Sequence, residues 1–529
     1  MSTEDINKVV ITLKKGVDVD AFMEEMSSVG NTTPYVPSRA VEIYNEKPES
    51  LRNVDYVMTR EEAELLKQDP RVEDARYGTK KENGWERTLF TNTANLPYSQ
   101  ASTWQSGNID LNWGMLQTSF RQNMFDGATQ VRNWSRPYVL TGEGVDFVIQ
   151  DSGLQVNHPE FTDALGVSRV QQVDWFTLTG TSGTMPANFY TDVVGHGTHV
   201  CSSAVGKTYG WAPNALIYVM NILGGNANST ISDTLSFNML RIWHTNKTIT
   251  STGYKRPTVV NMSWGYGSAV AFTTNGVWRG SAWSSLSSSV WASKGIVSPN
   301  GINSRMPVFV ASVQADVEDC MDAGVILVGA AGNESFKIDV PGGVDYNNTQ
   351  NAGTFYHRGP SPSCSNDSRM IRIGALGINE SGGSPQKASF SNTGPGVKLY
   401  VPGVNIAGAV STVNDYGGGV TYPYNSSFRS IKIAGTSMAT PQASGMICNL
   451  LQSRPWYDHQ RIQNYLYDNA SQIVNNTAPD SYTDYTSLQG GPNSLMYNPV
   501  TNGNTTFATL GNSNPTVITE LNATLNGKF

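Results

Sequence analysis

Charge is scarce in this chain: 15% of its 529 residues are Asp, Glu, Lys or Arg, and 36 bases against 43 acids leave a net charge of −7. Mild acidity argues against nucleic acid as a partner, because a phosphate-binding surface needs clustered Lys and Arg. No run of about 18 apolar residues occurs, so no membrane-spanning helix and no membrane partner are expected. The start, MSTEDINKVVITLKKG, has acids where a secretory leader carries bases and lacks the usual apolar stretch. No signal peptide is therefore expected, and the setting is read as intracellular, or as a virion or lysed host. Cysteine is equally sparse. Cys201, Cys320, Cys364 and Cys448 are far apart with no CxxC pair, which argues against a zinc site or disulfide scaffold and for reduced packing residues. Asn-x-Ser/Thr triplets at Asn31, Asn228, Asn366 and Asn504 read as by-products of an Asn-, Ser- and Thr-rich composition. What is present is 39% hydrophobic content with 12 Trp and 23 Tyr, enough for a large core and too much for disorder.

The few charges are unevenly spread: residues 1–87 hold 31 of the 79. Residues 1–80 read as a separate domain. Val9–Leu13 is a compact strand, and Phe22, Met26 and Val29 follow at helical spacing. Strands are expected around Ala40–Tyr44 and Val54–Met58. Thr59 and Glu62 form a capping box opening a short helix through Leu65 and Leu66 that ends before Pro70. Val72–Tyr77 completes a β-α-β-β-α-β order, the ferredoxin-like arrangement. Residues 81–136 lose periodicity and read as a linker and entry segment. In 137–474 short apolar strands (Val145–Gln150, Ala215–Leu223, Thr258–Met262, Val325–Ala331) alternate with helices (Gly197–Val205, Val308–Ala323). That pattern implies an α/β fold, a mostly parallel sheet with helices on both faces. Insertions at 266–307, rich in Ser, Gly and Trp, and at 334–368, rich in Gly, Asn, Pro and Ser, interrupt it. Residues 475–529 form a polar extension with only Asp480, Asp484, Glu520 and Lys528 charged.

Three short motifs sit at element junctions. Asp151-Ser152-Gly153 follows the strand VDFVIQ, where an Asp either forms a turn or contacts a ligand. Gly195-His196-Gly197-Thr198-His199 opens a helix. Two histidines three apart raise metal binding, but no carboxylate or Cys stands at ligand spacing, and the flanking glycines leave His196 approachable as a general base. In Gly435-Thr436-Ser437-Met438-Ala439-Thr440-Pro441, Pro441 suits a first helical turn. Ser437 is then an N-cap or a group at a helix N-terminus, where backbone N–H groups would meet an oxyanion.

Taken together, in the order Asp, His, Ser, these motifs resemble the subtilisin-like serine proteases, the subtilases. Asn261-Met262-Ser263-Trp264-Gly265 resembles their substrate-groove strand, and Gly329-Ala330-Ala331-Gly332-Asn333 their oxyanion segment. Gly210-Trp211-Ala212-Pro213 and Phe390-Ser391-Asn392-Thr393-Gly394-Pro395 are also similar. The resemblance covers roughly 137–470 and implies a subtilisin-like sheet preceded by a ferredoxin-like prodomain. It implies catalytic Asp151, His196 and Ser437, an oxyanion hole from Asn333 and the Ser437 amide, and a substrate groove from Ser263, Trp264, Gly265, Gly329, Ala330 and Ala331. His199 would be structural. The partners implied are protein or peptide substrates, and residues 1–80 as an inhibitor and folding aid removed by self-cleavage in the region 78–110.

No cofactor and no metal site is expected. The short Gly206–Gly210 segment resembles the proteinase K-type branch, and Lys398 stands where that branch has a calcium-binding Asp, so structural calcium is assigned to no position. Trp264 reads either as a groove wall that narrows a subsite or as a core aromatic. Trp278, Trp283 and Trp291 read as a lip over the groove, a docking surface or a self-packed hairpin. Asn112–Gly114 and Asp345–Asn348 loosely resemble virus-encoded subtilases. The competing class is a structural or virion assembly protein that retains the fold with little proteolytic role.

Overall fold

The computed structural model describes residues 6–30, 33–45, 49–78, 86–89, 112–119, 121, 123, 140–224, 230–251, 253–269, 274–296, 305–351, 353–379, 383–476, 481–482, 484–498, 505–506 and 517–518. The Asn31, Asn228 and Asn504 triplets, most of the linker and most of the polar extension lie outside them.

The N-terminal domain is built as its hydrophobic pattern requires. β1 (Ile6–Leu13) alternates Val9, Ile11 and Leu13 into the core. α1 (Val19–Ser27) starts where the Asp18 carboxylate accepts the Ala21 N–H at 3.0 Å, and it buries Phe22 and Met26 one turn apart. Val29 does not join them. The helix has ended at Ser27, and Val29 is 81% exposed. β2 (Glu42–Asn45) and β3 (Asn53–Thr59) follow, and α2 (Arg60–Leu66) is opened by the capping box. There the Glu62 N–H donates to Thr59 Oγ1 at 3.2 Å, and the Thr59 N–H donates to Glu62 Oε2 at 2.9 Å. With β4 (Val72–Tyr77) the sheet order is β2-β3-β1-β4, antiparallel throughout. A further strand, β5 (Glu86–Leu89), lies outside this sheet, in the stretch expected to be linker.

The large domain contains β6 (Asp146–Asp151), α3 (His196–Val205), β7 (Leu216–Asn221), α4 (Asp233–Asn246), β8 (Thr258–Met262), β9 (Trp264–Ala269), β10 (Thr274–Trp278), β11 (Ser281–Ser285) and α5 (Ala311–Asp322). Then come β12 (Ile326–Ala330), β13 (Thr349–Gln350), β14 (Thr354–Phe355), β15 (Ile371–Leu376), β16 (Leu399–Pro402), α6 (Thr436–Ser453), β17 (Ser471–Gln472) and β18 (Ser494–Leu495). The main sheet runs β17-β18-β16-β15-β12-β8-β6-β7, parallel except for the β17–β18 pair. Its central strands are buried on both faces, which is why they read as unbroken apolar runs. α3 and α6 cover one face around Val200, Ala204, Ala443 and Ile447, and α4 and α5 cover the other around Phe237, Leu240, Val313 and Val317. α3 and α6 pack closely because Gly445 lacks a side chain: a Cβ there would stand 2.3 Å from the Ala204 carbonyl oxygen. Among the described residues no helix is long and apolar enough to cross a membrane. All four cysteines are buried and unbonded to one another.

The N-terminal sheet rests on α5 through polar groups. Arg52 donates from Nη2 to Glu318 Oε2 at 2.8 Å and to the Ala315 carbonyl at 3.0 Å. Asn53 Nδ2 donates to Asp316 Oδ1 and to the Ser312 carbonyl, both at 3.1 Å, and Lys15 pairs with Asp322. From α4, Arg241 donates to the Glu49 carbonyl at 2.8 Å. Burial under this contact pushes the Glu318 and Asp319 carboxyls above their ordinary range, against the pull of Arg52.

The two insertions form one unit. β10 and β11 make a hairpin, and β13 and β14 from the second insertion extend it into a four-stranded sheet ordered β11-β10-β13-β14. Trp278, Trp283 and Trp291 pack there with Phe336 and Tyr356. Beneath them the buried Asp345 accepts from Lys337 and Arg279, each at 2.7 Å, and from the Tyr482 hydroxyl. Burial raises the Asp345 pKa, but the hydrogen bonds from Arg279, Lys337 and Tyr482 outweigh it and hold the carboxyl well below the usual range. A depressed carboxylate stabilises the fold above its unfolded pKa of about 4, and that contribution is lost as pH falls toward the folded value. Asp345→Asn is expected to lower the melting temperature at pH 7 by several degrees and to flatten its decline below about pH 4. Equal acid slopes in thermal melts of the two proteins would refute this.

Candidate active site

Parallel strands of an open α/β sheet present their carboxyl ends to ligands, and the site is built there. Asp151 is the last residue of β6, and its Oδ1 accepts from His196 Nδ1 at 2.7 Å and from the Ser152 N–H at 2.8 Å. An aspartate acceptor facing Nδ1 places the ring proton there and leaves Nε2 as the basic lone pair. That Nε2 is buried with no hydrogen-bond partner among the described residues. His196 opens α3 behind Gly195 (φ 85°), and α3 sits hard against the Asp-Ser-Gly turn. A Cβ on Gly197 would come within 2.1 Å of the Gly153 carbonyl oxygen.

Asp192, four residues before His196, was not singled out in the sequence. It is fully enclosed and accepts from Ser152 Oγ at 3.0 Å, the Gly195 N–H at 2.8 Å, the Thr198 N–H at 2.8 Å and Thr198 Oγ1 at 2.6 Å. Burial raises its pKa against these donors, and it ties the Asp151 turn to the His196 turn. Its only sequence signal is an acid in a stretch with few others. His199 points elsewhere. Its Nε2 donates to the carbonyls of Ile406 at 3.1 Å and Ile431 at 3.3 Å, and burial lowers its pKa to about 3.

Ser437 is the second residue of α6, whose N-cap, Gly435, offers no side chain to cap it. Its amide therefore sits among helix N-terminal N–H groups that carry positive partial charge. Ser437 Oγ donates to the Ser263 carbonyl at 2.8 Å, and Ser263 Oγ donates back to the Ser437 carbonyl at 3.1 Å. Asn261 donates to Ser263 Oγ at 2.9 Å and accepts from Ser444 Oγ at 2.9 Å, so the strand end after β8 is locked to α6. β8 and β12 are parallel neighbours in the register Met262 to Gly329, so Ser263–Gly265 and Ala330–Asn333 leave the sheet side by side. Asn333 Oδ1 accepts from the Thr436 N–H at 3.0 Å and from Thr436 Oγ1 at 2.8 Å. Two donors on one oxygen fix the amide orientation, and Asn333 Nδ2 is left buried with no partner among the described residues. Next to it, Glu334 takes the Asn392 Nδ2 donor at 2.6 Å, and burial pushes its carboxyl up to about 7.

Of the other groove residues, Ala331 is anchored by its N–H to the Ile373 carbonyl at 3.0 Å, and Gly329 faces Ser363. Trp264 is fully buried, and its Nε1 donates to Gln150 at 3.2 Å. Its backbone is paired with the N-terminal segment. β5 runs antiparallel to β9 with Leu89 opposite Trp264, Thr88 opposite Gly265, Arg87 opposite Tyr266 and Glu86 opposite Gly267. Asp151, His196 and Ser437 are each fully buried in this arrangement. Among the described residues no three His, Cys, Asp or Glu side chains gather as a metal site would require.

Known proteins resemble this chain in sequence. The model of the Subtilase family matches residues 142–495. An extracellular serine proteinase of Thermus sp. (strain Rt41A) is 25% identical over 391 residues, covering 73% of this chain and 66% of that protein. Alkaline protease 1 of Emericella nidulans is 26% identical over 357 residues, covering 68% of this chain and 62% of that protein. The chain thus matches just under two thirds of the length of these relatives. Among solved structures, a cold adapted subtilisin-like serine proteinase is similar at 20% identity and a TM-score of 0.43, covering 72% of this chain and 98% of that one. Fervidolysin from Fervidobacterium pennivorans, described as a keratinolytic enzyme related to subtilisin, is similar at 18% identity and a TM-score of 0.48, covering 95% of this chain and 62% of that one. With the family model matched over most of the large domain, this chain belongs to the subtilase family of serine proteases.

Proposed function

We propose that the chain is a serine endopeptidase that works through Asp151, His196 and Ser437. The observation that carries this is the buried 2.7 Å contact between His196 Nδ1 and Asp151, with Nε2 left without a hydrogen-bond partner among the described residues. In the reaction, Ser437 Oγ gives up its bond to Ser263, attacks the scissile carbonyl carbon and passes its proton to His196 Nε2. Asp151 holds the imidazole and stabilises its charged form. The oxyanion is received by Asn333 Nδ2 and the Ser437 N–H, donors already oriented before substrate arrives. His196 then protonates the leaving amine, and water repeats the sequence on the acyl-enzyme.

Residues 1–80 serve, in this reading, as an inhibitor that is cut from the enzyme by the enzyme. The β5–β9 pairing and the burial of Ser437 support it. A fluorophosphonate probe is expected to label the wild-type chain after the N-terminal part has been cut and removed, and not to label Ser437→Ala. Absence of label on the trimmed wild type would favour a structural protein instead. The polar contact on α5 bears on how the pieces part. Arg52→Ala removes the cation paired with Glu318 and Asp319, leaving Asp319 with Arg241 and Lys15 and Glu318 with the Asn366 amide, so the contact weakens. The cut pieces of that variant are expected to separate on gel filtration where wild-type pieces co-elute.

A further inference from the structure

A second concave site is built from other residues than the catalytic ones. The strands Ile406–Val410 and Arg429–Ile433 pair antiparallel, and the two-residue strand Val420–Thr421 adds to the other edge of the second. On the way to that short strand the chain turns back through Tyr416 and Gly417, both left-handed at φ 58° and 68°. A strand of two residues covers little of its neighbour, and the returning chain bounds a cavity of about 490 Å³. Sites that hold small molecules measure roughly 300–1,000 Å³. The lining is mainly apolar, with Tyr209, Ala407, Tyr416, Val420, Pro423 and Ile431 among its walls. None of the triad, oxyanion or groove residues belongs to it. Val420, at 62% exposure, marks the side open to solvent.

Lys432 is the one charged residue of the described lining. It stands opposite Ala407 in the ladder, and opposed residues of an antiparallel pair share a face, here the face on which Ala407 clusters with Tyr209 and Tyr422. Its side chain is half-buried, and its ammonium makes no ion pair or hydrogen bond among the described residues. Burial lowers its pKa, with no carboxylate set against that effect. The acids of adjoining segments are engaged elsewhere. Glu160 accepts from the Tyr422 hydroxyl at 2.6 Å and the Thr208 N–H at 2.9 Å, and Asp415 accepts the Gly417 N–H at 3.0 Å. An apolar chamber with one unpaired cation and no anion calls for a ligand of the complementary kind, which fills the space and supplies the missing charge. We propose that this cavity binds a small amphipathic carboxylate, its apolar body against Tyr209, Val420 and Ile431 and its carboxylate on Lys432 Nζ. The site stands independently of the proteolytic reading, because no residue of the triad takes part in it.

Calorimetric titration of the full-length Ser437→Ala chain tests this without interference from self-cleavage. The probes are octanoate, octan-1-ol and octylammonium, which share one apolar body and differ in the charge of the head. Octanoate is expected to bind saturably, one per chain, and about tenfold or more tighter than octan-1-ol, the size of one charge-assisted hydrogen bond. Octylammonium is expected to bind weakest. Adding Lys432→Met keeps an apolar stem and removes the charge, so the affinity for octanoate is expected to fall to that for octan-1-ol or below, with octan-1-ol unaffected. Lys432→Arg is expected to keep the preference for octanoate. Equal affinities for octanoate and octan-1-ol, octanoate binding that survives Lys432→Met, or no saturable binding of octanoate would each overturn the proposal. The three probes on the unsubstituted cavity decide the matter even where the Met variant does not fold.

Discussion

Ser437→Ala is expected to leave the full-length chain as a single uncut species, while wild type resolves into two pieces on a denaturing gel. The lost hydroxyl is the nucleophile of the proposed mechanism. His196 Nε2 keeps its basicity, and Asn333 keeps its donor, yet neither forms a bond to carbon. Peptide turnover by any enzyme matured by other means is expected to fall by about 10⁶ in kcat, a magnitude taken from subtilisin itself. The residual rate comes from oxyanion donors acting on water. The variant is also a fold control: Ser437 contributes two hydrogen bonds to Ser263, of which Ala removes only the one made by Oγ. Its melting temperature is therefore expected to stay within a few degrees of wild type. Wild-type migration of the variant would remove Ser437 from the mechanism.

The second large effect is expected at Asn333. Its side chain is held at one end only, through Oδ1 on Thr436, and its free end is the donor. Asn333→Leu keeps the volume and discards the donor, and kcat is expected to fall about 10²–10³-fold with KM little changed, as for the corresponding donor in subtilisin. Because the charge on oxygen exists only beyond the ground state, a KM effect is the wrong signature. Thr436→Val separates donating from positioning. It removes the hydroxyl that steers Oδ1 while the Thr436 N–H still holds it, so a smaller loss is expected, again in kcat. A mutant with raised KM and unchanged kcat at Asn333 would mean that the amide binds substrate and takes no part in the barrier.

What could be read in the chain beforehand divides by the physics of each segment. Elements whose own residues determine them were legible. The Thr59–Glu62 box opens α2, and the apolar runs at 258–262 and 325–331 are central strands because both faces are covered. The strand end at Asp151 and the helix starts at His196 and beside Ser437 were legible because Gly and small residues mark the junctions, although Pro441, expected in the first turn, lies inside the helix. Elements defined by a partner were not. Glu-Arg-Thr-Leu in β5 has no apolar alternation to betray a strand, because backbone pairing with β9 holds it there. β13 and β14 are two residues each and exist only by extending the β10–β11 hairpin. Ser494–Leu495 looked like part of a polar tail and adds a strand to the main sheet. Val29 fails in the opposite sense. Its spacing is helical, but the chain leaves the helix two residues earlier.

The N-terminal strand lies along β9 as part of the same polypeptide, and this sets a kinetic order. A tethered segment meets the nucleophile at an effective concentration fixed by geometry, whatever the concentration of the protein. In the proposed reading the first cut on each molecule is expected to be unimolecular, with a half-time that dilution leaves alone. The next stage is expected to differ, because an enzyme released in this way would meet the freed N-terminal domains of its neighbours by collision. Activity against added substrate is then expected to rise along a sigmoid whose lag shortens as protein concentration increases. One strand paired along β9 within the same chain would thus separate a private clock inside each molecule from a shared switch across the population.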